Sequence, residues 1–406
     1  MCREKRQVRS SALSAPLFRR YYPASWFSSL GGWMLRFLLG WSAWALTESS
    51  FWVGIVGALM LAPAILLSPY FGVQSDRVNP RHGLIISMAV HAVIGLTGAV
   101  TTATDLFGLN TLLLLATTMG AVTALHSPMR LALVPLLVSR EALPSAVGLT
   151  AMSFNIARIL GPAISAALLA SVGLVWAWSL PVAMFFISAL LLAVIRGVGT
   201  REIKVKSSVN AAFLEAGRYA LAHSQITFIL MITATNGLLG RSFIELLPAI
   251  SGRVLNGDAT ELAWLTAAAG AGAVAGGLVL TQQQARVSSL FRLLLGAMVI
   301  AVLLLASLKW MNTLTSLMIL VAILSSVTTI TGTSCQTLTQ LIVTEQYRGR
   351  VLSLWSMTAM GAPALGAAWQ GWMAESVGFV DVYLTAALVG VLATLFFYLR
   401  GRPAFT

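Results

Sequence analysis

From one end to the other the chain alternates between apolar runs of about 20 residues and short polar breaks, and a helix needs about 20 such residues to cross the hydrocarbon of a bilayer. The runs lie near 24–46, 51–72, 83–103, 110–134, 146–171, 173–195, 225–248, 263–281, 289–308, 313–335, 351–374 and 381–399, which makes twelve. In lipid every backbone polar group needs an internal partner, so runs of this length are read as helices. The 406 residues are 58% hydrophobic and 10% charged. No soluble domain of that size hides so much apolar surface.

Charge placement sets the expected orientation, because cytoplasmic loops retain Lys and Arg. Here the cations collect in the N-terminal tail, at Arg77 and Arg81, at Arg140, between the sixth and seventh runs, at Arg286 and Arg292, at Arg348 and Arg350, and at Arg400 and Arg402. The loops on the other side hold Arg253 and Lys309. Both termini are therefore expected in the cytoplasm. The net charge of +13 reads as membrane topology, not as affinity for nucleic acid. The basic tail, 1–22, lacks the compact apolar core and cleavage site of a signal peptide and is expected to be retained.

The longest polar interruption, 197–224, sets Phe213, Tyr219 and Leu221 among Glu215 and Arg218, a pattern that predicts a short amphipathic surface helix. It divides a six-span bundle at 23–196 from a second at 225–399, with 400–406 as a short cytoplasmic tail. A weak echo joins the halves: Gly161-Pro162 in the fifth span and Gly361-Ala-Pro363 in the eleventh. The expected fold is an all-α integral membrane protein of twelve transmembrane helices in two pseudo-symmetric six-helix bundles.

Between the second and third spans stands Gly72-Val-Gln-Ser-Asp76-Arg77-Val-Asn-Pro80-Arg81. Pro80 stops helix continuation, and Asp76, Arg77 and Arg81 belong at the membrane surface. In this setting Gly72-x-x-x-Asp76-Arg77-x-x-x-Arg81 resembles the hallmark loop of the major facilitator superfamily, and the resemblance covers essentially the whole chain. In the fifth span Gly148, Ala157, Gly161, Pro162, Ser165 and Ala166 fall at the spacing of that superfamily's antiporter signature, with Ala157, Ser165 and Ala166 standing where the signature has Gly. The resemblance implies packing that limits leak in exporters; a generic small-residue helix contact would use the same residues. Ser28-Ser-Leu-Gly31-Gly-Trp33, Thr47-Glu-Ser-Ser50 and Tyr347-Arg-Gly-Arg350 resemble the enterobactin-exporter and macrolide-efflux branch. Many of those relatives have an acid directly after Gly31, where this chain has Gly32, which counts against proton coupling through the first span.

A charge inside a span costs ~2.5–3.5 kcal/mol at the helix centre on insertion scales, so it needs a partner or a wet cavity. Arg36 and Arg158 fall about halfway through the first and fifth spans, and Arg241 lies past the middle of the seventh with Glu245 one turn beyond. The resemblance implies that these spans line a central cavity. Arg36, Asn155, Arg158, Asn236 and Arg241 are then the candidate substrate residues, suited to an anionic or oxygen-rich solute. The competing reading pairs Arg241 with Glu245 along its own helix and leaves Arg36 or Arg158 structural. Arg130, near the cytoplasmic end of the fourth span, is expected to meet Asp76 in a cytoplasmic gate that also holds Gly72, Arg77 and Arg81.

Other chemistry is thin. Cys2 and Cys335 suggest neither disulfide nor metal site. No Gly-x4-Gly-Lys-Ser loop occurs, so ATP is not the direct energy source and no cofactor is expected. An ion gradient remains, with Glu245 the proton-coupling candidate; His91 and His126 sit in spans but a lone intramembrane His is more often a packing residue. The clustered His, Asp or Cys of a membrane enzyme is missing. The expectation is a monomeric proton-coupled exporter of a small amphiphilic or anionic metabolite or drug in a bacterial cytoplasmic membrane, with a lysophospholipid flippase as the alternative.

Overall fold

A computed structural model describes residues 11–75, 78–195, 209–282 and 287–405, and every regular element in them is helical. The first six passes are α1 (Pro16–Thr47), α2 (Ser50–Ser75), α3 (Pro80–Ala103), α4 (Leu109–Leu133), α5 (Leu143–Val172) and α6 (Leu174–Val194). Helix α7 (Val209–Ala222) follows, in the stretch where the apolar and charged residues interleave. The seventh pass is broken into α8 (Ser224–Thr235), a π-helical turn at Asn236–Arg241, α9 (Ser242–Glu245) and α10 (Leu247–Leu255). Then come α11 (Ala259–Thr281), α12 (Val287–Ser307), α13 (Leu314–Ile342) and α14 (Glu345–Phe405).

Ten of the described helical segments are long and apolar enough to cross a membrane. Two further passes complete the twelve. Helix α14 is two passes joined at Gly378, whose φ of 82° lies where only glycine is unstrained. Helix α1 is the other, less apolar than the rest because Arg36 interrupts a run already rich in Ser and Trp. It begins at Pro16, well before the apolar run, since proline is favoured at the first helical position.

Local chemistry places the turns. Asn79 caps α3 by accepting from the Arg81 amide at 3.0 Å, and Pro80 opens the helix. Asp258 and Glu261 form a reciprocal capping box at α11, as Thr313 and Ser316 do at α13. Gly173, at φ 86°, lets α5 reverse directly into α6.

Helices α1 to α6 pack on one another, α1 against α5 and α6, α3 against α4 and α6, and α2 against α4. The later helices do the same, α11 on α13 and α12 on α13 and α14. The halves meet where α2 lies along α14, α5 along α11, and α1 along α10. Close approach there depends on missing side chains: a Cβ on Gly54 would run into the Ala367 carbonyl, and one on Gly371 into the Ser50 carbonyl.

Candidate functional site

The site is built outward from α1. Trp33 and Arg36 are three residues apart, hence on one helical face. Helix α5 crosses α1 at Gly161, where a Cβ would stand 2.8 Å from that of Trp33. Ala157, Gly161, Pro162 and Ser165 are all buried, and Gly148 faces open space. Gly161 therefore permits the close packing of α5 on α1 that brings Arg158 to the indole. The Arg158 guanidinium lies 5.4 Å from the Trp33 ring centre and that of Arg36 5.9 Å, both within cation–π range. Phe154 meets the same indole edge-on at 5.6 Å.

The opposite wall comes from the seventh pass. Its π-helical turn ends at Arg241 and leads into the short α9, which carries Glu245 one turn further on. Glu245 does not pair with Arg241. It accepts from the Arg36 guanidinium instead, an ion pair that joins the two halves. Arg158 lies within electrostatic reach of Arg241, Arg36 and Glu245, and Arg241 within reach of Glu245 and Arg36. Among the described residues neither Arg158 nor Arg241 forms an ion pair. Three guanidiniums thus face one carboxylate. Gly32, where the resemblance leads one to expect an acid, opens on free space, and the carboxylate that meets α1 comes from the other half.

The two asparagines are committed locally. Asn155 donates to the Ala151 carbonyl at 2.9 Å and Asn236 to the Thr328 carbonyl at 3.2 Å. Of the residues expected at the cytoplasmic gate, Asp76 and Arg77 lie outside the described residues, and Gly72 falls in the last turns of α2. Arg81 donates to the carbonyls of Leu192 and Ala193 at the C-terminal end of α6, where a cation suits the helix dipole. Arg130 sits 5.7 Å from the ring centre of Phe154.

At the end of the bundle opposite the termini the halves are tied by residues that the sequence reading missed. Glu375 accepts from the Ser50 amide at 2.9 Å, capping the start of α2 from the other half, and its second oxygen accepts from Arg253 at 2.8 Å. Trp44 fills the space beside Gly252 at the same end. The available signal was slight: Arg253 is one of two cations in the loops of that side.

The sequence pattern of the transmembrane secretion effector family matches residues 9–404. The chain belongs to that family. It is a branch of the major facilitator superfamily, so the protein is a multi-pass membrane transporter and not an enzyme. The staphyloferrin A transporter of Staphylococcus aureus (strain NCTC 8325 / PS 47) is 22% identical over 391 residues, 94% of this chain and 96% of that protein. Two solved structures share the fold. A bacterial homologue of the human lysosomal transporter Spinster superposes with a TM-score of 0.72 at 17% identity, covering 95% of this chain and 97% of that one. The xylose transporter XylE from E. coli gives 0.70 at 14%, covering 94% and 96%.

Proposed function

We propose that the protein is a secondary exporter of a small anionic, siderophore-type metabolite, working by alternating access and proton antiport across a bacterial cytoplasmic membrane. The observation that carries this reading is the cluster of Arg36, Arg158 and Arg241 around the single carboxylate of Glu245, which leaves the space between the halves with a net positive charge. An uncompensated cation within a membrane marks a substrate or ion path. The kinship to a staphyloferrin A transporter supports a solute of that kind.

With both termini in the cytoplasm, the end where Glu375 joins Ser50 and Arg253 is the outer one. Solute oxyanions then engage Arg158 and compete with Glu245 for Arg36. Binding thereby changes a contact between the halves, which is what a coupled transporter requires.

The test is secretion under iron limitation by cells with and without the gene, followed by uptake of the exported chelator into inverted vesicles with an imposed pH gradient. Reduced secretion and gradient-driven uptake are expected. Unchanged secretion with altered phospholipid turnover would remove the reading.

A further inference from the structure

We infer that Trp33 is a positioning residue: its indole holds Arg36 and Arg158 as one receptor for two carboxylates of a single solute, and its N–H supplies a third contact. The proposal rests on the anion-export reading and says which residue shapes the receptor. Three observations carry it.

The first is the double stacking, with guanidinium carbons 5.9 and 5.4 Å from the same ring centre. Both cations are held by the electron-rich indole, which fixes where each stands relative to the ring. The second is that Trp33 Nε1 is buried and has no hydrogen-bond partner among the described residues. A buried donor left unmade is costly, and a solute acceptor that reached it on binding would remove that cost. The third is the difference between the two cations. Arg36 already has Glu245, whereas Arg158 has no ion pair among the described residues. A solute with one carboxylate satisfies Arg158 alone; a second carboxylate is needed to displace Glu245 from Arg36. Guanidinium forks take carboxylates in bidentate fashion, so the ring spacing selects polycarboxylates over single acids.

The experiment uses purified full-length protein in nanodiscs and measures binding of citrate, acetate and triethyl citrate to wild type, Trp33→Phe and Trp33→Leu. Wild type should prefer citrate to acetate and ignore the neutral ester. Trp33→Leu should lose roughly tenfold or more in citrate affinity with little change for acetate, since one stacked, desolvated cation alone accounts for about that factor. Trp33→Phe keeps a π face without the N–H and should retain the citrate preference at several-fold weaker binding. Citrate affinity unchanged in Trp33→Leu overturns the role of Trp33 while leaving the anion reading intact. No citrate binding by wild type overturns both. Should Trp33→Leu not fold, Trp33→Phe decides: full wild-type affinity removes the N–H contact, and loss of the citrate preference removes the ring-held pair.

Discussion

Neutralising Glu245 and Arg36, singly and together, gives the sharpest test of the ion pair between the halves. The Glu245 side chain is 7% exposed and that of Arg36 26%, so this is a partly buried pair whose remaining partner is left desolvated when one is removed. Breaking a fully buried pair costs ~3–5 kcal/mol. Arg36→Gln should fall below that range, at about 2 kcal/mol, because Glu245 still feels Arg158 and Arg241. Glu245→Gln leaves three guanidiniums with no carboxylate and should cost more, about 3 kcal/mol. The double variant removes both members, so its cost should be smaller than the sum by about 1–3 kcal/mol. Denaturant unfolding of the four proteins in matched micelles measures the cycle. Additivity within ~0.5 kcal/mol would refute the pairing. Anion binding provides the second arm, with opposite signs: Glu245→Gln should bind citrate more tightly while being less stable, and Arg36→Gln should bind it more weakly.

Arg158→Ala should abolish anion transport by a normally expressed protein, with Arg158→Lys recovering part of it, as measured by vesicle uptake; loss of folded protein instead would make Arg158 structural. Glu375→Ala removes the trans cap on α2 and the Arg253 pair, and should raise the labelling rate of a cysteine placed at Ser49 several-fold by loosening that end of the bundle. Gly54→Val pushes α2 off the Ala367 carbonyl and should yield folded but transport-dead protein, read by uptake and gel filtration. Gly272→Ala acts within the second half, where the new Cβ would meet the Ala322 carbonyl, and should cost about 1–3 kcal/mol in unfolding.

Much of the fold was legible because lipid imposes a simple rule: length and hydropathy count the passes, and Lys and Arg suggest their orientation. Pro80 marks a turn through backbone chemistry that acts within a few residues. The polarised positions Arg36, Arg158, Arg241 and Glu245 stood out for the same reason, since charge in a span is costly wherever it occurs.

Their pairing was not legible. Local spacing favoured Arg241 with Glu245 on one helix, but the packing of α1 near α10 brings Arg36 to the carboxylate from more than two hundred positions away. The indole of Trp33 could have been linked to Arg36 by their three-residue spacing; its contact with Arg158 depends on α5 crossing α1 at Gly161. The sequence by itself determined a twelve-pass helical transporter and which residues bear charge within it, because solvation in lipid is a property of each segment. Only the tertiary structure decided which charges meet and which stay free, because cation–π contacts, ion pairs and trans caps depend on distances between helices that no single helix encodes.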